Sequence, residues 1–270
     1  MPRLSPDQKR AAVARWDAQG GDIWLLELAR EASTRFTFHP AAGRFPVWSP
    51  DGGRIVFASG RDGPNNLYQK GSSGAASEEP LLKSSETKYP TDWSSDGRFV
   101  LYQTLQPKTG WDLWALPLEA PEGTPRKPIP VLQTEFNETL AQFSPDVHWI
   151  AYQSNESTPD QVYVQGFPKS GGKFQVSTNG GGWPRWRRDG KEIYYLSPDR
   201  KLMAVEVKAT ATTFEKARSR ELFQTRAVST VAWIPTYDVT ADGQRFLINT
   251  ALEAEGPAPI TVVMNWAPKN

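Results

Sequence analysis

Trp48-Ser-Pro-Asp-Gly52, followed by Arg54-Ile-Val-Phe57, decides how this chain folds, because the phrase returns along its length. Aligned on the aspartate, the copies are Leu4-Ser-Pro-Asp7, Trp48-Ser-Pro-Asp51, Trp93-Ser-Ser-Asp96, Phe143-Ser-Pro-Asp146, Trp186-Arg-Arg-Asp189 and Val239-Thr-Ala-Asp242. The aspartates are 44, 45, 50, 43 and 53 residues apart. A period in that range marks a repeat architecture built from one supersecondary unit per copy. Gly follows Asp in four copies (Gly52, Gly97, Gly190 and Gly243) and Pro precedes it in three (Pro6, Pro50 and Pro145). Pro presets φ and Gly takes a positive φ, so each phrase predicts a tight turn between two antiparallel strands.

Working outward, the large apolar residue three before each Asp lies on the first strand. Apolar residues four and six after it lie on the second: Ala11 and Val13, Ile55 and Phe57, Val100 and Tyr102, Ile150 and Tyr152, Ile193 and Tyr195, Phe246 and Ile248. A spacing of two puts each pair on one strand face. The residue between them is often apolar too (Val56, Leu101, Ala151, Tyr194, Leu247), which predicts sheets covered on both faces. A third strand begins at Asp22-Ile-Trp24, Asn66-Leu-Tyr68, Asp112-Leu-Trp114 and Gln161-Val-Tyr163, with Leu202–Val205 and Ile260–Val263 in the last two copies. A fourth is read at Thr34–Phe38, Pro80–Leu82, Pro128–Leu132, Phe174–Val176 and Glu221–Phe223. Leu196-Ser-Pro-Asp199 matches the phrase but falls between second and third strands, and the segment Glu215–Glu221 has room for a turn or two of helix.

Four short strands per copy, stacked radially, predict an all-β, six-bladed propeller. The blades run approximately over residues 1–40, 41–84, 85–133, 134–178, 179–226 and 227–270 of one domain. Eleven Trp suit the wedges between adjacent blades, and 23 Pro with 21 Gly suit a turn-rich fold. The terminal blades are expected to be incomplete. Only the tail of a first strand precedes Ser5, and little sequence follows Trp266. The chain therefore reads as the downstream part of a longer polypeptide.

The Trp-Ser-Pro-Asp-Gly turn, Arg54-Ile-Val-Phe57 and Asp112-Leu-Trp114 resemble the TolB-type propeller repeat across essentially the whole chain. Asp22-Ile-Trp-Leu25, Asn66-Leu-Tyr-Gln-Lys70, Gly110-Trp-Asp-Leu-Trp114 and Tyr237-Asp-Val-Thr-Ala-Asp-Gly243 are similar to the C-terminal propeller of bacterial membrane-bound serine/threonine protein kinases. The resemblance implies a sensor or binding domain outside the cytoplasm, joined through a membrane helix to a kinase domain. Yet this sequence contains no run of 18 apolar residues, and its first fifteen residues are polar and charged, unlike a signal peptide. The compartment is therefore left open.

The kinase motifs are missing from the sequence itself. Arg61-Asp62-Gly63 has no His before it, and Leu67 stands where a catalytic loop needs Asn. Gly71-Ser-Ser-Gly74 misses the spacing of a hydrolase elbow. His39 and His148 are the only histidines and read as turn filler, while zero cysteines remove thiolate sites. The turn aspartates read as bonded to their own turns, and Asp22 and Asp112 as structural. Glu135, Asn137 and Glu138 form the densest oxygen cluster, a thin basis for calcium. No catalytic residue, metal ligand or cofactor is expected.

Binding is expected where the innermost strands begin. The residues there are Arg44, Phe45, Lys88, Tyr89, Asn137, Glu138, Trp183, Arg185, Trp233 and Tyr237. Aromatics mixed with both charges suit a protein or peptide partner. The competing reading is that Phe45, Trp183 and Trp233 only cap the core. A net charge of +1 argues against nucleic acid, although Arg185-Trp-Arg-Arg188 is a basic cluster. The expected molecule is a monomeric, non-catalytic recognition module; the alternative is a propeller hydrolase with a metal in its channel.

Overall fold

The computed structural model describes residues 2–17, 20–30, 32–121, 123–168, 171–228, 234–251 and 261–263, and among them there is no helix. Two compact units are distinguished, Met1–Glu135 and Phe136–Asn270.

The first unit holds three sheets of four antiparallel strands. They are β1 (Pro2–Leu4), β2 (Arg10–Asp17), β3 (Gly20–Glu27) and β4 (Ala32–Arg35); β5 (Gly43–Trp48), β6 (Arg54–Ser59), β7 (Asn66–Gly71) and β8 (Glu79–Leu82); and β9 (Lys88–Trp93), β10 (Phe99–Gln106), β11 (Gly110–Pro117) and β12 (Ile129–Leu132). Strands pair in sequence order within each sheet. The short β1 still completes its sheet, pairing Pro2 with Val13 and Leu4 with Ala11.

The second unit begins with β13 (Glu138–Phe143), β14 (Trp149–Ser154), β15 (Gln161–Gly166) and β16 (Lys173–Gln175). The next sheet contains β17 (Gly182–Trp186), β18 (Glu192–Leu196), β19 (Lys201–Ala209), β20 (Phe214–Lys216) and β21 (Arg220–Gln224), with both β20 and β21 pairing to β19. The last sheet has three strands, β22 (Tyr237–Val239), β23 (Phe246–Ile248) and β24 (Thr261–Val263).

Among the described residues five blades are complete, not the six expected. The sixth repeat stops at three strands because, among the described residues, nothing pairs with the outer edge of β24. The segment given room for helix contains β20 instead, since Val207 to Ala209 extend β19 far enough to pair with Phe214 to Lys216.

The repeated phrase folds as its chemistry dictates. In Ser49–Arg54 the Asp51 carboxylate accepts from Ser49 Oγ at 2.5 Å and from the Gly53 amide at 2.9 Å, and Ser49 Oγ accepts from the Arg54 amide at 2.8 Å. Ser5/Asp7, Ser94/Asp96, Ser144/Asp146 and Thr240/Asp242 repeat this bonding. Gly52, Gly97, Gly190 and Gly243 sit at φ of 70° to 78°. The copies without Gly hold Gln8 and Val147 at φ 59° and 62° in its place. Leu196-Ser-Pro-Asp199 uses the same grammar between β18 and β19, with Ser197 Oγ on Asp199 and Arg200 at φ 62°.

A second recurring device closes the outer edge of four of the sheets. The polar residue at the start of the third strand bonds the chain leaving the fourth. Asp22 accepts from Thr37 Oγ1 at 2.9 Å, Asn66 from the Ser84 amide at 2.9 Å, and Gln161 from Ser177 Oγ at 2.5 Å. Asp112 accepts from Thr109 at 2.9 Å and lies 3.5 Å from the Gln133 amide; burial raises its pKa.

Apolar side chains fill the spaces between neighbouring sheets of each unit. Trp48, Ile55, Phe57 and Tyr68 pack on Ala12, Ile23, Leu25 and Phe36. Val47, Val56, Leu67 and Leu81, from the opposite face of the same sheet, pack on Trp93, Val100, Tyr102 and Leu116. Both faces are covered, which explains the continuous apolar run Ile55-Val-Phe-Ala58. In the second unit Trp149, Val162 and Val164 meet Trp186, Ile193, Tyr195 and Phe214. Each such side chain contributes about 1.5–3 kcal/mol on burial.

Candidate recognition surfaces

Three of the innermost strands carry a bulge near their start. In β5 the register slips between Arg44 and Val47, in β13 between Thr139 and Gln142, and in β17 between Gly182 and Arg185. One residue in each bulge is left-handed: Phe45 at φ 54°, Leu140 at 56° and Trp183 at 56°. Such backbone costs a non-glycine residue about 1–3 kcal/mol, and bulges of this kind re-aim side chains.

In the first unit the bulge aims Phe45 at Tyr89. Their rings stack 4.3 Å apart, and Tyr89 meets Trp111 at 5.4 Å. Asn65 Nδ2 donates to the Tyr89 hydroxyl at 3.2 Å. Burial raises the Tyr89 pKa, opposed by the positive charge of Arg44 and, less, by its hydrogen bond. The Arg44 guanidinium lies 4.5 Å from the Trp16 ring, and that indole is 55% exposed. Leu105, paired with Trp111 across β10 and β11, is also exposed. Phe45 and Tyr89 are therefore the buried footing of a surface whose outer members are Trp16, Trp111 and Leu105.

Lys88 does not belong to that surface. Its ammonium turns into the preceding loop, donating to Glu86 O at 2.6 Å and to Ser84 Oγ. Burial lowers its pKa, and hydrogen bonds from Ser84 and Ser85 pull Glu86 down to about 2.

The second unit uses its bulge differently. Trp183 Nε1 donates to Ile234 O at 2.6 Å, and the Tyr237 hydroxyl donates to Trp183 O at 2.9 Å. Arg185 is 1% exposed; Nη1 donates to Pro184 O at 2.8 Å and Nε lies 3.5 Å from Asp238 Oδ1. Trp183 and Tyr237 are thus bonded to each other, and Arg185 is buried beside Asp238. The Asn137 amide is spent on Asn155, and Glu138 is buried opposite Ser154. Trp233 lies outside the described residues. Among the described residues no three His, Cys, Asp or Glu gather as a metal site.

The other sequence candidates also sit in local structure. His39 Nδ1 accepts the Ala41 amide at 3.0 Å, and His148 lies 3.2 Å from Asp146. Ser72 donates to Gly52 O at 2.6 Å. Arg61 pairs with Glu78, and Asp62 with Lys83 at 2.5 Å. Trp16, Asn65, Trp111 and Leu105 escaped the sequence reading because they lie on second- and third-strand ends. The one available signal was Trp111 immediately before Asp112.

Comparison with solved structures fixes the fold. A TolB-type protein from Agrobacterium tumefaciens superposes with a TM-score of 0.65 at 18% identity, over 82% of this chain and 80% of that one. TolB from Acinetobacter baumannii gives 0.62 at 16% identity, over 81% of this chain and 55% of that one. An oligogalacturonate lyase in complex with manganese gives 0.55 at 14% identity, over 92% and 84%. No family model matches the chain. The fold is accordingly an all-β propeller of the TolB-like kind, a scaffold that carries both TolB proteins and an enzyme among its neighbours.

Proposed function

We propose that the chain is a non-catalytic recognition module that holds a segment of a protein partner on the strand-start surface of its first unit. The observation that carries this reading is the continuous series Trp16, Arg44, Tyr89, Phe45 and Trp111. An exposed indole backed by a guanidinium, over a rigid stacked footing, has the composition of an interface anchor. Loops on a rigid scaffold are the usual seat of binding. TolB-like neighbours support a protein partner by analogy of fold. We further propose that the module derives from a kinase-linked extracytoplasmic sensor, as its sequence motifs suggest.

Panning the purified chain against a random dodecapeptide display library tests the reading. Enriched peptides should bind the wild type and lose more than about tenfold in affinity on Trp16→Ala, since interface tryptophans commonly contribute 2 kcal/mol or more. Failure to enrich any peptide dependent on Trp16 would count against it. Metal analysis of the same protein tests the non-catalytic half: a stoichiometric divalent ion would favour the hydrolase instead.

A further inference from the structure

The polar residues at the start of the third strands are equivalent in place but not in charge. Asn66 and Gln161 are neutral amides, and their oxygens accept from Ser84 and Ser177. Asp22 is a carboxylate, but Arg35 pairs with it at 2.6 Å and Thr37 Oγ1 donates to it. Asp112 is a carboxylate with no cation beside it among the described residues. It is 0% exposed. Its Oδ2 takes two neutral donors, Thr109 Oγ1 at 2.9 Å and Gln133 Nε2 at 3.5 Å. Its Oδ1 is buried and accepts no hydrogen bond among the described residues.

The adjoining elements supply no counter-charge. Thr104 stands opposite Asp112 across β10 and β11, on the same face, and its hydroxyl is also buried without a partner. On β9 the residue aligned with Thr104 is Lys88, whose ammonium is taken by Ser84 and Glu86. Arg44 on β5 lies against the Trp16 ring. Lys108, between β10 and β11, and Glu135, beyond β12, are exposed. None of these charges pairs with Asp112. An ionised carboxyl taken out of water without a counter-charge is costly, and such a group takes up a proton instead.

We infer that Asp112 is a pH-sensitive switch in the third sheet: its neutral acid belongs to the folded β10–β11 hairpin, and its ionisation as pH rises loosens the Thr104–Asp112 rung. The next rung is Leu105–Trp111, so the loosening reaches outer members of the strand-start surface. Burial raises the Asp112 pKa, the direction the switch requires. Below the unfolded value, near about 4, the group is neutral in both states and costs nothing. As pH climbs through the raised folded value, the cost of holding the ionised group in the sheet grows and then levels off. This slope is opposite to that of a turn aspartate such as Asp51, whose pKa folding lowers. Asn at position 112 makes the neutral form permanent, with its oxygen toward Thr109 and Gln133 and its NH2 toward Thr104. The switch stands whether or not the strand-start surface takes a peptide.

Carbon-13 NMR of the aspartate carboxyls in the full chain tests the switch, with the Asp112 resonance assigned by its absence from Asp112→Asn. That carboxyl should titrate above about 4, the ordinary aspartate value. The thermal midpoint of Asp112→Asn should exceed that of the wild type by a margin that grows between about pH 4 and about pH 8, reaching about 2 °C or more. Asp22→Asn, which loses the pair with Arg35, should show no such gain. Titration of Asp112 at or below about 4, an Asp112→Asn variant less stable than the wild type at about pH 8, or an equal gain in Asp22→Asn would overturn the inference. So would a wild-type midpoint raised by calcium chloride or sodium chloride but unmoved in Asp112→Asn, which would mark a cation rather than a proton on Oδ1.

Discussion

Phe45 and Trp183 occupy the same place in their repeats, on the same bulge, at nearly the same left-handed φ. Around Phe45 the contacts lead outward through Tyr89 and Arg44 to an indole 55% exposed. Around Trp183 they turn inward. Its N–H and carbonyl are both bonded within the unit, and its neighbour Arg185 is buried against Asp238. The backbone device is common to both, so it does not decide between an exposed and a packed environment. The side chains contributed by adjoining strands decide, Trp16 and Trp111 in one unit and Tyr237 and Asp238 in the other.

The sharpest way to break this contrast is Arg185→Ala. Removing one partner of a buried charge pair typically costs about 3–5 kcal/mol. Urea unfolding should therefore show a loss of roughly that size, whereas an exposed arginine would show almost none. Trp183→Phe is next. It keeps a ring but strands the Ile234 carbonyl, and should cost about 1–3 kcal/mol in the same assay.

The turns supply a pH test. Bonds from Ser5, Ser49 and Thr240 hold Asp7, Asp51 and Asp242 below the ordinary carboxylate range. A pKa lowered by folding contributes stability that is complete above the unfolded value, near 4, and is lost as pH falls through the folded value. The thermal midpoint should be insensitive to these groups at neutral pH and drop below about pH 4. Asp51→Asn should lower the neutral-pH midpoint and flatten the acid limb. An acid limb unchanged in Asp51→Asn would remove that turn from the account. The smallest expected effect on stability is Trp16→Ala, within about 0.5 kcal/mol, because the ring is largely outside the core.

These differences also mark what the sequence could say. A hairpin turn is local, so Ser49-Pro-Asp51-Gly52 announces itself within four residues, and six copies locate the strands around it. The paired apolar positions Ile55/Phe57 and Val56 announce two covered faces for the same reason. The fourth strands agree to within one residue at each end except the first, read at Thr34–Phe38 and found at Ala32–Arg35, where all four side chains are exposed and carry no pattern. The sixth blade was overcounted, since a turn and three strands repeat there without a fourth strand among the described residues. At the candidate site, Arg44, Phe45 and Tyr89 were legible because they enter first strands. Trp16 and Asn65 were not, because they come from other hairpins and meet those residues only after folding. Lys88 shows the converse. Its position was read correctly, but its partners Ser84 and Glu86 take its charge out of the surface.

The proposed function requires Trp16 to serve recognition, whereas the equivalent region of the second unit is packed. The direct test is one variant, Trp16→Ala, assayed for affinity toward a peptide selected by the wild-type protein and for its urea midpoint. The account predicts more than about a tenfold loss of affinity with the midpoint nearly unmoved. Unchanged affinity, or a fall in stability matching that of Arg185→Ala, would contradict it.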